Sequence, residues 1–129
     1  RLTGRVKDII NRGGEKVPVA EIEQLLHEHP AVAEVAIVAM PDERLGERAC
    51  AYVVRDPGFA GDFGLAEVRE WLDSHEMSKH YWPERVETIE EMPRTPSGKI
   101  QKFVLREQAK GLRPESSLIP SETEEEPVR

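Results

Sequence analysis

A single cysteine, Cys50, is all that the chain carries. No disulfide framework and no cysteine-ligated metal site can be built from it, and its place in the apolar run ACAYVV marks it as a buried small hydrophobe. Histidine is equally sparse. His27, His29, His75 and His80 lack metal-binding spacing, because His27 and His29 are two positions apart and face different sides of a helix; no metal site is expected in the chain. No apolar run is long enough to cross a bilayer and no signal-peptide pattern is present, so no membrane span and a reducing cytoplasm are the expectation. Positive charge is in the minority too: 18 Lys and Arg stand against 25 Asp and Glu, for a formal charge of -7. A nucleic-acid partner is therefore not expected. Aromatic residues make up 5% of the chain, and the stretch His80, Tyr81, Trp82, Pro83 holds much of that surface. Placed before a strand-like segment, it reads as core packing or a domain contact rather than a base-stacking platform.

What remains is patterned, and 129 residues suffice for one domain with a modest core. Val6 to Asn11 and Lys16 to Val19 read as two short extended pieces joined by a glycine turn. Ile22, Leu25 and Leu26 mark an amphipathic helix from Ala20 to His29, between Pro18 and Pro30. Val32 to Met40 is apolar on both alternating sets, so it is expected to be the central strand, covered on both faces. Glu47 to Arg55 reads as its partner, and the glycines and prolines of DPGFAGDFG as a loop. A second helix is expected from Leu65 to Ser74, a further strand from Arg85 to Glu90, and a third helix from Ile100 to Lys110 with Gly111 as a left-handed terminator. The fold class is α+β: a small mixed sheet with helices packed on it, preceded by a two-stranded hairpin. Residues 1–112 form the domain, and the acidic tail 113–129 is expected to be disordered.

Two loops invite chemistry. Gly13 and Gly14 serve a hairpin turn by allowing positive φ, or let a slender ligand chain pass close to bare backbone. Arg12 and Lys16 beside them are solvated cations or phosphate contacts. The loop PRTPSGK is not a phosphate-binding P-loop, since that motif needs glycine where Pro93 stands. It nevertheless holds Lys99 on a rigid segment next to the start of the expected third helix, where the dipole adds to the ammonium charge instead of relieving it.

Three stretches together, GRVKDIINRGGEKVPVAEIE, HPAVAEVAIVAMPDERLGERACAYVV and PRTPSGKIQKFVLRE, resemble the C-terminal domain of the adenylate-forming enzymes. These include acyl-CoA synthetases, luciferase and the adenylation domains of peptide synthetases. The wording is most similar to short- and medium-chain acyl-CoA ligases, with aryl-acid:AMP ligases delivering to a carrier-protein thiol as the alternative. The resemblance implies a mobile lid that closes over a separate N-terminal adenylation domain of the same polypeptide, the piece alone being inactive. A carboxylic acid would attack Mg-ATP to give acyl-AMP and pyrophosphate, and coenzyme A would then displace AMP. ATP and Mg2+ would be bound mainly by the N-terminal domain. By position, Lys99 matches the catalytic lysine, Arg5 an arginine that meets nucleotide phosphates, and Lys7 the hinge. Gly13, Gly14, Glu15 and Lys16 match the loop lining the pantetheine tunnel. A free-standing interaction module without catalysis is the third possibility, and intact GRVKD and PSGK weigh against it.

Overall fold

The computed structural model describes residues 10–113. In chain order it forms β1 (Ile10–Arg12), β2 (Glu15–Val17), α1 (Val19–His27), β3 (Val32–Asp42), β4 (Gly46–Arg55), α2 (Leu65–Ser74), a 3-10 turn at Lys79–Tyr81, β5 (Arg85–Ile89) and α3 (Lys102–Ala109). The strands make one mixed sheet of the expected α+β kind. Antiparallel β3 and β4 are its backbone, with Ile37 opposite Ala51. β5 runs parallel to the second half of β4, Tyr52 facing Glu87, and β1 meets the first residue of β4 through Arg12 and Gly46. Among the described residues β2 pairs only with β1.

Alternation explains the two layers. Ile37, Ala49, Ala51 and Val53 point to the face covered by α1 and α2, where Ile22, Leu26, Val68 and Leu72 are fully buried. Ala36, Val38, Met40, Cys50 and Tyr52 point to the other face, closed by Leu105 and Ala109 of α3 and by Met92. Covering both faces is why these strands read as continuous apolar runs, and Cys50 is buried as a free thiol among them.

The expectation of a central β3 is corrected: among the described residues β4 is central, and β3 pairs with β4 alone. Burial on two faces reports the layers above and below a strand but not its neighbours within the sheet. The outer edge of β3 is managed by a side chain. The Glu23 carboxylate of α1 accepts the Ile37 N–H at 2.7 Å and the Lys102 ammonium at 2.6 Å, tying both helix layers to the exposed edge.

Smaller differences have local causes. α3 starts at Lys102 rather than Ile100, because Gln101 N–H donates to the Pro93 carbonyl at 2.8 Å and Ile100 bridges Arg94. Its end is also unlike the expectation: Lys110 is right-handed helical, and Gly111 is not among the positive-φ glycines. The 3-10 turn was not foreseen. It packs Tyr81 and Trp82 against the core, with the Trp82 indole donating to the Met77 carbonyl at 2.9 Å, in keeping with a packing role for the HYWP stretch.

Candidate functional site: two loops at opposite ends of the sheet

The glycine turn is built by its own backbone. Arg12 faces Glu15 across a two-residue connection in which Gly13 has φ 61° and Gly14 φ 94°, the left-handed pair that matches the twist of a tight hairpin. Asn11 Oδ1 accepts the Gly14 N–H at 2.9 Å, and Gly13 N–H donates to the Leu45 carbonyl at 2.9 Å. The two glycines differ in their surroundings. A Cβ on Gly13 would lie 2.9 Å from Leu45 Cδ2, whereas one on Gly14 would meet nothing within 4 Å. Gly13 is thus pressed against this domain while Gly14 faces outward, beside exposed Glu15 and Lys16.

Behind the turn lies a charge network. Arg12 Nε donates to Glu84 Oε2 at 2.8 Å, so Arg12 is committed to the protein and is not a free phosphate contact. The other Glu84 oxygen takes Arg48, whose Nε pairs with Asp42 at 2.7 Å. Desolvation pushes the Asp42 carboxyl upward, but the hydrogen bond and charge of Arg48, with the Leu45 and Arg44 amides, outweigh it and hold it below the usual range.

At the other end, Pro93 to Gln101 forms a small hairpin. Thr95 N–H donates to the Lys99 carbonyl at 2.8 Å and Gly98 N–H to the Thr95 carbonyl at 2.9 Å, closing a four-residue turn with Pro96 second and Gly98 fourth. Gly98 has φ 97°, which restricts the position to glycine. Lys99 therefore lies on the return arm of a hairpin, and not against the first turn of α3 as expected. The dipole argument does not apply there. Its side chain is exposed, and its ammonium forms no ion pair with any described residue.

The two loops are far apart. Gly13 is anchored at Leu45, beside Gly46 at the start of β4, while Arg94 of the lysine loop pairs with Glu34, which faces Val54 near the end of β4. Gly46 and Val54 are eight positions apart on one strand, about 27 Å at ~3.4 Å per residue. Gly13, Gly14, Glu15 and Lys16 come together at one end, and Lys99 stands at the other. Arg5 and Lys7 lie outside the described residues, as does the tail from residue 114. Sequence reasoning missed Glu34, Glu84 and the part played by Arg94. Arg94 sat inside the quoted loop, but its partner is 60 positions away, and no local pattern links them.

Residues 21–99 match the family model of the AMP-binding enzyme C-terminal domain, and the chain belongs to that family. The medium-chain fatty-acid–CoA ligase of Escherichia coli K12 is 49% identical over 107 residues, which are 82% of this chain and 19% of that protein. The 2,3-dihydroxybenzoate-AMP ligase of Bacillus subtilis 168 is 45% identical over 107 residues, again 82% of this chain and 19% of the relative. Among solved structures, ATP-bound MatB from Rhodopseudomonas palustris superposes with a TM-score of 0.76 at 36% identity, covering 83% of this chain and 21% of that one. The chain thus spans about a fifth of the length of the relatives it matches. Among the described residues no group of three or more His, Cys, Asp or Glu side chains is arranged to hold a metal, and no helix is long and apolar enough to cross a membrane.

Proposed function

We propose that this chain is the C-terminal lid of an ATP-dependent acyl-CoA ligase, and that its two ends serve the two half-reactions in turn. The observation that carries the reading is the Lys99 ammonium, exposed on a stiff hairpin that is anchored near the opposite end of β4 from the glycine turn.

In the first step a carboxylate oxygen of the acid attacks the α-phosphorus of ATP, and the bond to the pyrophosphate oxygen breaks. Negative charge gathers where the two anions meet. An ammonium held there is worth more in the transition state than with separated substrates, which is what accelerates a step. At an effective dielectric near 20 one such charge at ~4 Å contributes about 4 kcal/mol, on the order of a thousandfold in rate. Lys99 is the residue for this role, and Arg5 is assigned to the nucleotide phosphates. Mg2+ comes with ATP as part of the substrate; the described residues offer it no site.

In the second step the thiol sulfur of coenzyme A attacks the acyl carbon, the bond to the AMP oxygen breaks so that AMP leaves, and the thiol proton passes to solvent. The need is now a narrow passage for pantetheine, and Gly14, with open space where a Cβ would be, suits it, flanked by Gly13, Glu15 and Lys16. Serving the two steps from opposite ends of the sheet calls for two orientations of the lid. The lid has to turn, and Lys7 is assigned as the hinge.

Lys99→Ala in the full-length enzyme should lower acyl-AMP formation, read by pyrophosphate exchange, about a thousandfold and leave thioester formation from supplied acyl-AMP within about threefold. Equal loss of both steps would reject the assignment. A second reading, delivery of an aryl group to a carrier-protein thiol, is favoured by the aryl-acid relative at nearly the same identity. Preference of the full-length enzyme for a carrier protein over free coenzyme A would select it.

A further inference from the structure

Lys99 is unusual in the contrast between its base and its tip. The Lys99 N–H donates to Thr95 Oγ1 at 3.1 Å, and the Lys99 carbonyl accepts the Thr95 N–H at 2.8 Å. The preceding carbonyl, that of Gly98, accepts Arg94 Nη1 at 2.7 Å. Three backbone polar atoms around the Lys99 Cα are thus occupied, two of them by side chains, while the ammonium meets no described partner. The direction of the Cα–Cβ bond is fixed and only the four-carbon stem remains free.

The second guanidinium nitrogen of Arg94 pairs with Glu34 of β3. Arg94 therefore joins the tip of the hairpin to the edge strand of the sheet. As a stability device this pair is weak: Arg94 is 41% and Glu34 35% exposed along the side chain, and such pairs are worth ~0–1 kcal/mol. What the planar fork does supply is direction, since one guanidinium fixes two acceptors in a set geometry.

We propose that Arg94, held by Glu34, is a positioning residue that aims Lys99 into the reacting phosphate. The inference rests on the reading of Lys99 as the adenylation cation. An ammonium aimed by a rigid base loses little orientational freedom in the transition state, whereas one on a swaying hairpin spends much of its time misplaced. A misplacement of about 1 Å can cost on the order of a hundredfold in rate.

The test uses the full-length enzyme and measures the two half-reactions separately, with melting temperature alongside. Arg94→Gln is expected to lower kcat for acyl-AMP formation about 10- to 100-fold, with KM for ATP and acid within about twofold. Thioester formation from supplied acyl-AMP and the melting temperature should stay near those of the parent, which a merely structural role would not achieve. Glu34→Gln should give a smaller loss of the same kind. The charge-swapped pair, Glu34→Arg with Arg94→Glu, restores the ion pair but not the donor to Gly98, and is expected to remain slow. Recovery in that double variant, an unchanged kcat in Arg94→Gln, or equal loss in both half-reactions would each overturn the proposal. Lys99→Ala run in parallel separates the two ideas. If it abolishes adenylation while Arg94→Gln does not, only the aiming role fails; if it spares adenylation, the reading of Lys99 fails and the aiming role with it.

Discussion

The glycine end and the lysine end of this domain are both held by arginine–carboxylate contacts, yet the contacts are of different kinds. At the glycine end Arg12 and Arg48 share Glu84, whose side chain is 11% exposed, in a layer that β1, β4 and the start of β5 enclose. At the lysine end Arg94 and Glu34 are partly exposed, and backbone hydrogen bonds carry the loop. A buried charge network yields little net stability when intact and penalises the loss of one member heavily, because the others are left without a counter-charge. A solvated pair does neither. Substitutions in the charge network behind the first end should therefore be felt in folding, and those in the ion pair at the second in chemistry.

The largest expected effect breaks the comparison at its buried side. Glu84→Ala leaves Arg12 without its carboxylate and Arg48 with Asp42 alone, and should destabilise the chain by up to ~3–5 kcal/mol in urea unfolding; a cost below about 1 kcal/mol would mean that solvent reaches the network freely. Next comes the layer beneath the lysine end. Leu105→Ala empties a fully buried site and should cost ~2–5 kcal/mol, loosening α3. Comparable melting of Leu105→Ala and the parent would show that α3 is not fastened there. Thr95→Val is subtler: it removes the acceptor for the Lys99 N–H and should slow adenylation about tenfold while leaving stability within about 1 kcal/mol. A loss of stability without a loss of rate would reverse the contrast between the ends.

The smallest effect is one of pH. His29 lies just before β3, its Nδ1 accepting the Ala31 N–H at 3.0 Å and its ring 4.8 Å from Phe63 and 4.6 Å from Trp71. Desolvation lowers its pKa below 6.5, against an opposing pull from Glu67. The unfolded chain therefore takes up this proton first as pH falls. The stabilising contribution is present above pH 6.5 and is lost as pH drops through the lower folded value. Urea midpoints should decline as pH falls from 6.5 towards that lower value and level off beneath it, and His29→Phe should flatten the decline. An identical decline in that variant would locate the sensitivity elsewhere.

How much of this was legible in the residues depends on the distance over which each feature is written. α2 occupies the expected Leu65–Ser74 because its periodicity begins where the loop DPGFAGDFG ends. The two-faced burial of β3 was legible in VAEVAIVAM; its place at the sheet edge was not, since the device that covers that edge, Glu23, belongs to another element. The start of α3 was misjudged because Ile100 and Gln101 have helical periodicity but close the hairpin through Arg94 and Pro93. The glycine turn was legible as a turn. Lys99 stood out as a constrained lysine, yet only the resemblance gave it a role. Its hold on Glu34 through Arg94 spans most of β3, then β4, α2, the 3-10 turn and β5, so it becomes visible only in three dimensions.

The central claim is that one lid presents opposite ends to successive steps. The most direct measurement is therefore a crossed comparison in the full-length enzyme, with acyl-AMP formation and thioester formation from supplied acyl-AMP each assayed in Lys99→Ala and in Gly14→Leu, with Gly14→Ala, which carries the same backbone strain at φ 94° without the bulk, as the control. The account predicts opposite patterns, Lys99→Ala failing in the first step alone and Gly14→Leu in the second alone. If both variants lose the two steps in equal measure, the division of labour between the ends is contradicted.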